Sequence, residues 1–307
     1  MGILDIVGNT ALLELFAEQK PSRAGLFAKA EFLNPSGSVK DRAAKAMILE
    51  GIEQGKLTNG KTIIDATSGN TGIAYAMIGA ALGYAVKIYL PANASMERKS
   101  IMRHYGAELV ETSPLEGSDG AFLAVQEEVR AYPEKYFYPN QYNNDTNWRA
   151  HFNGTGVEIW EQTGGRISHF ITSMGTSGTF MGTSRRLKGY NPRIRAIAIQ
   201  PDSPFHGIEG TKHMESTLKP GFYDPAWPDD FVTVNTEDAY AMARRLAREE
   251  GVYTGVSSAA NVLAALRLAE TLPRDALVVT ILCDSGTRYM SDRFWDEAAK
   301  PSGGNDD

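Results

Sequence analysis

A β-branched run, a glycine turn and then a helical stretch recur along this chain, and that order admits few folds. Thr62-Ile63-Ile64-Asp65-Ala66 reads as a buried strand, Thr67 to Gly72 as a turn, and the apolar stretch to Leu82 as a helix. Val86 to Leu90 repeats the strand and stops at Pro91, and Ser95 is placed to cap a helix over Glu97 to His104. A strand over Glu108 to Glu111 and a helix over 118–132 follow. After a helical region over 145–163 the pattern restarts: strand His169 to Ser173, glycine loop Met174 to Gly178, a helix to Lys188, and strand Arg195 to Gln200. Thr236 is placed to cap a further helix ending at Gly251, and a helix over 257–272 leads to a strand over Ala276 to Leu282. Strands that alternate with helices of this length build parallel βαβ units. The fold class is therefore α/β, and two such blocks predict two lobes. Residues 201–230, rich in Pro and Gly, read as a long functional loop. The polar tail 301–307 is expected to be disordered.

In a parallel sheet the ligand sites lie beyond the carboxyl ends of the strands. Four stretches there carry chemistry. In Asn34-Pro35-Ser36-Gly37-Ser38-Val39-Lys40-Asp41-Arg42, Pro35 disfavours helix before it and Gly37 permits a bend, so Ser38 is expected to cap a helix that opens near Lys40. A lysine there faces the positive end of the helix dipole, which favours its neutral, nucleophilic form. Thr67 to Thr71 offers hydroxyls, an amide side chain and backbone N–H groups at a helix start, a seat for a carboxylate. Gly175-Thr176-Ser177-Gly178-Thr179 lets backbone approach an anion closely, and it lacks the lysine and spacing of a nucleotide-hydrolysing phosphate loop. A small phosphate group is its expected guest. Asp284-Ser285-Gly286 points a hydroxyl or a carboxylate toward the same crevice.

A chain of 307 residues with formal net charge -6 is large enough for two lobes and has no excess of basic residues to bind nucleic acid or anionic membranes. Its single cysteine, Cys283, rules out a disulfide framework and suits a reducing cytoplasm. Residues 1–5 lack a basic segment followed by an apolar one, so no secretory signal is expected. The most apolar run, Gly72 to Val86, is shorter than the roughly 20 residues of a membrane span.

A lysine amine, a carboxylate seat and a phosphate cup together point to pyridoxal 5'-phosphate and an amino acid substrate. With Gly255-Val256-Ser257-Ser258 added, the order of these motifs resembles that of the fold type II pyridoxal-phosphate enzymes, and among them the cysteine synthase family. The runs Glu158-Ile159-Trp160, Gly164 to Phe170 and Cys283 to Gly286 resemble its B-type branch most.

The resemblance implies a two-domain, tryptophan synthase β-like fold, each lobe a mostly parallel sheet flanked by helices. Residues 1–36 and 149–300 would form the larger cofactor domain and 37–148 a smaller, mobile one. It implies that Lys40 holds the cofactor as a Schiff base, that Asn70 meets the ring oxygen, and that Gly175, Thr176, Ser177, Gly178 and Thr179 hold the phosphate. Ser285 would face the pyridine nitrogen, with Asp284 as the alternative. A neutral hydroxyl there would favour β-elimination over transamination. Thr67, Ser68, Thr71 and Gln141 would take the substrate carboxylate, with Gly207 presenting backbone nearby. No metal is implied. The reaction would be β-replacement on O-acetylserine or O-phosphoserine by sulfide or thiosulfate, through an aminoacrylate, giving L-cysteine in a cytoplasmic homodimer. Cystathionine β-synthase-like and serine/threonine dehydratase-like chemistries share the scaffold, and a non-catalytic cofactor binder is the reading from another class. Lys212 and His213 would either meet an anionic donor or be solvated loop residues.

Overall fold

A computed structural model describes residues 1–18 and 23–296; the expected tail 301–307 lies outside them. In chain order the elements are β1 (Leu12–Glu14), β2 (Gly25–Ala30), α1 (Lys40–Glu53), β3 (Thr62–Ala66), α2 (Asn70–Leu82), β4 (Val86–Pro91), α3 (Met96–His104), β5 (Glu108–Thr112) and α4 (Gly117–Ala131). Then come β6 (Tyr136–Phe137), α5 (Thr146–Asn153), α6 (Thr155–Gln162), β7 (His169–Ser173), α7 (Gly178–Tyr190), β8 (Arg195–Pro201), β9 (Asp230–Val234), α8 (Thr236–Glu249), α9 (Val256–Thr271) and β10 (Leu277–Leu282).

The strands form two sheets. One is six-stranded, in the order β1-β2-β10-β7-β8-β9; the other is four-stranded, in the order β5-β4-β3-β6. Every pairing is parallel except β1 against β2, which is antiparallel. Because β10 is buried on both faces it reads as a run, Leu277 to Leu282, that is apolar but for Thr280. One face of the six-stranded sheet packs on α8 and α9 through Ile171, Ile199, Leu246 and Val262, and the other on α6 and α7 through Phe170, Phe180 and Ile281. The four-stranded sheet is covered by α1, α2 and α3 on one side and by α4 on the other. Helix α2 is apolar all round and buried all round, which explains its lack of a polar face. No helix among the described residues is long and apolar enough to cross a membrane.

Three local expectations change. The region 145–163 is two helices, because the chain breaks at Gly154 between α5 and α6. Helix α8 is capped by Asn235, whose side chain accepts from the Glu237 N–H, rather than by Thr236. At α1 the cap position is Val39; Ser38 is held in a bridge to Asp284 while its Oγ accepts from the Lys40 N–H at 3.3 Å. Strands β1, β6 and β9 carry no strong sequence signal, being two to five residues long and at sheet edges or beside them.

Candidate active site

The carboxyl ends of β3, β7 and β10 converge with the start of α1 on one cleft of about 480 Å³, mouth included. Lys40, Asn70, Gly175, Thr176, Ser177, Gly178, Thr179, Ser257 and Cys283 all line it.

Lys40 is the first residue of α1. The backbone before it is pinned by the Val39 N–H, which donates to the Cys283 carbonyl at 2.8 Å, so the loop after β10 fixes where the lysine starts. Among the described residues its amine makes no hydrogen bond or ion pair and is therefore available to a ligand. Two residues on, Arg42 is locked into a buried ion cluster with Glu31 and Glu158.

The glycine loop is shaped by close approach. A side chain at Gly178 would strike Asn147 Oδ1, and one at Gly175 would strike the Gly210 carbonyl, so both positions need glycine. Ser177 between them has φ of +64°, an uncommon region for a residue with a Cβ. Its Oγ is buried without a protein partner at the N-terminus of α7. A helix start, an orphaned hydroxyl and glycine backbone suit an anion. Thr179 Oγ1 is backed by His151 Nε2 at 3.3 Å, while His151 Nδ1 pairs with Thr155 Oγ1 at 2.9 Å. Burial, with Arg42 nearby, pushes the His151 imidazole down to about 3, so it is neutral at ordinary pH.

Asn147 joins this cup to the segment 141–143, its Nδ2 donating to the Gln141 carbonyl at 2.7 Å and to Thr176 Oγ1 at 3.2 Å. Gln141 Oε1 accepts from the Thr71 hydroxyl at 2.9 Å, so two of the expected carboxylate ligands touch each other. Thr67 and Ser68 sit on the turn before α2, separated from Asn70 by Gly69.

Six expected residues do not line this cleft: Thr67, Ser68, Thr71 and Gln141, which sit around the start of α2 and on the 141–143 segment, and Ser285 and Gly207. Ser285 does not line the cleft; it caps a short 3₁₀ turn, Gly286–Tyr289, and its Oγ accepts from Thr287. The hydroxyl that the N-terminus of α9 brings to the cleft wall is that of Ser257. Gly207 lines a neighbouring groove, with Glu209 shared between the two. Cys283 stands beside Ser257, and burial pushes its thiol up to about 11, so it stays protonated. Sequence reading gave no role to Ser257, Asn147 or His151. The signal for Ser257 was its place just inside a helix that follows a Gly, the same device as at Ser177.

A family model described as "Pyridoxal-phosphate dependent enzyme" matches residues 3–284. The chain belongs to this family. Its relatives include a cysteine synthase of Aquifex aeolicus, 52% identical over 94% of this chain and 90% of that protein. A cysteine synthase B of Pseudomonas aeruginosa is 43% identical over 96% of this chain and 97% of its own length. Among solved structures, the cysteine synthase of Entamoeba histolytica superposes with a TM-score of 0.91 at 36% identity, covering 96% of this chain and 90% of that one. The site of this pyridoxal-phosphate dependent enzyme fits the cofactor: a lysine amine without a partner among the described residues for the aldehyde, an orphaned Ser177 Oγ at a helix start for the phosphate, and the Asn70 amide in the same cleft.

Proposed function

We propose that the protein is a cysteine synthase, replacing the β-substituent of an O-activated L-serine with sulfur. The observation that carries the reading is the unpaired Lys40 amine in one cleft with Asn70 and the glycine cup. Bound pyridoxal phosphate supplies an electron sink for the bonds broken at the α- and β-carbons. The protein does the rest. Lys40 would hold the aldehyde and, once the substrate amine has taken its place there, would act as general base toward the α-proton. Thr67, Ser68, Thr71 and Gln141 seat the substrate carboxylate. Ser257, in place of Ser285, offers the ring nitrogen a neutral hydroxyl, which withholds the full charge that transamination needs. The reading extends to a cytoplasmic homodimer, for which the free thiol of Cys283 suits a reducing compartment. Residues 37–148 are read as the smaller, mobile lobe. The deciding assay is direct. With O-acetyl-L-serine and sulfide, the purified protein is expected to release L-cysteine and acetate in equal amounts. Keto acid formed at a rate indifferent to sulfide would make it a dehydratase, and turnover of O-acetyl-L-serine with homocysteine but not with sulfide would make it a cystathionine-forming enzyme.

For the basic pair after Gly210 we infer a third role, neither donor recognition nor free solvation. Lys212 Nζ lies 4.9 Å from the centre of the Tyr142 ring and donates to the Leu218 carbonyl at 3.3 Å, and His213 Nδ1 pairs with Ser216 Oγ at 2.9 Å. The Gly221 N–H also donates to the Tyr142 carbonyl at 2.9 Å. Lys212 therefore pins the 201–230 loop onto the segment that carries Gln141. Lys212→Ala is expected to raise KM for O-acetylserine and O-phosphoserine by the same few-fold factor, since an exposed cation–π contact contributes about 0.5–1 kcal/mol. A loss confined to the phosphorylated donor in steady-state assays would show that the lysine reads the leaving group instead.

A further inference from the structure

Asn70 is the first residue of α2, and its side-chain amide lies between two groups of opposite charge. Its Nδ2 donates to Asp284 Oδ2 at 2.7 Å, and its Oδ1 accepts from Arg288 Nη1. Asp284 and Arg288 are both buried, 0% and 3% exposed. Each is held in turn: Asp284 Oδ2 also accepts the Tyr289 hydroxyl at 2.8 Å, and Arg288 Nη2 donates to the Ser36 carbonyl.

A carboxamide is nearly symmetric in shape but not in chemistry, because a half-turn exchanges its acceptor for its donor. Between a carboxylate and a guanidinium only one orientation makes two hydrogen bonds. The reverse sets oxygen against oxygen and N–H against N–H beside two buried charged groups. The bond to Asp284 uses one of the two Nδ2 hydrogens. Planarity fixes the direction of the other. We propose that Asp284 and Arg288 are positioning residues that lock the Asn70 amide so that its remaining N–H is offered to the ring oxygen of the pyridoxal group. This rests on the reading that Asn70 meets that oxygen. Neither Asp284 nor Arg288 lines the cleft, so both act through Asn70. A donor on the ring oxygen favours its anionic, long-wavelength form; an acceptor there would favour the protonated form, which absorbs at shorter wavelength.

The test uses the holoprotein and reads the visible band of the bound cofactor together with its dissociation constant. Asn70→Ala should move intensity to shorter wavelength and weaken cofactor binding about tenfold, the worth of one hydrogen bond to a charged group. Asp284→Ala should reproduce that spectral change although it touches no cofactor atom. Asp284→Asn keeps an acceptor oxygen for Asn70 and Tyr289 and should restore the band. In the Asn70→Ala background, Asp284→Ala should move the band no further. Should Asp284→Ala fail to fold, Arg288→Lys serves, because a single ammonium cannot reach both Asn70 Oδ1 and the Ser36 carbonyl as the guanidinium fork does; a partial shift in the same direction is expected. An unmoved band in folded Asp284→Ala or Arg288→Lys, with Asn70→Ala shifted, overturns the lock. An unmoved band in Asn70→Ala overturns the reading of Asn70 itself.

Discussion

Lys40→Ala is expected to abolish the covalent link to the cofactor and to lower kcat by at least about 10³-fold. Two roles end together. In the proposed reading the amine is the nucleophile toward the aldehyde and the general base at the α-carbon, and positioned acid–base catalysis alone contributes about 10²–10⁴-fold. No substitute is at hand, since Lys40 is the only lysine among the described residues that line the cleft. The Ser257 hydroxyl and the Cys283 thiol, pushed up to about 11 by burial, are poor bases at neutral pH. The loss should be chemical and not structural. The Lys40 side chain makes no ion pair or hydrogen bond among the described residues, the backbone N–H that meets Ser38 Oγ is kept, and alanine is a good helix former. Borohydride reduction followed by peptide mass mapping checks the link: the cofactor mass should stay on the peptide containing position 40 in the parent and on no peptide of the variant. An adduct that survives in Lys40→Ala, or turnover within tenfold of the parent, would move the chemistry to another residue.

How far the site could be read from the sequence depended on how local its contacts are. Lys40, Asn70 and Gly175 to Thr179 each follow a recognisable turn, and the structure gathers all of them in one cleft. The local grammar of strand, turn and helix N-terminus was enough to place them. Ser285 shows where that grammar stops. It too follows a strand, and the rule that ligands gather beyond strand ends drew it into the site. In the fold the two residues before it are engaged: the Cys283 carbonyl takes the Val39 N–H, and the Asp284 carboxylate takes Asn70. The chain is thereby turned so that Ser285 caps the next short turn and leaves the wall to Ser257. The Asn70–Asp284 contact spans 214 residues, and no periodicity or spacing announces it. The same holds for Asn147 and His151. They read as ordinary helix residues in the sequence, yet they brace the phosphate cup from behind. Short edge strands were missed for a different reason: two or three residues cannot show a period.

The largest effect on stability should come from Arg42→Met. Arg42 is 6% exposed and makes a two-pronged contact with Glu31, at 2.7 Å from both Nε and Nη2, and a second with Glu158, at 2.6 and 2.8 Å. Lys29, wholly buried, completes the cluster at 2.7 Å from Glu158. Such a cluster is no simple gain, because four charges had to leave water. Once assembled, though, removing one member strands its partner. Glu31, 0% exposed, would keep the Thr10 hydroxyl at 2.7 Å and the Asn34 amide at 2.8 Å but lose its cation. That should cost about 3–5 kcal/mol, a large part of the roughly 5–15 kcal/mol that holds a domain together. The pH dependence gives the sign. Burial alone would raise the Glu158 carboxyl, but Arg42 and then Lys29 hold it at about 2, against an ordinary 4.5. Glu31 is lowered in the same way, its burial outweighed by Arg42. A carboxyl whose folded value lies below its unfolded one adds stability that is present above the unfolded value and is lost as pH falls through the folded one. Wild-type stability supplied by Glu158 should therefore fade between about pH 4.5 and pH 2. Without Arg42 both carboxyls rise toward or past their ordinary values, so this term is missing at neutral pH already. The gap between parent and Arg42→Met should be widest at pH 7 and close as pH falls toward 3, as read from urea midpoints at the two pH values. A gap under about 1 kcal/mol at pH 7, no more than an exposed surface pair contributes, or one equally wide at pH 3, would mean that the cluster does not hold the start of α1 as its geometry implies.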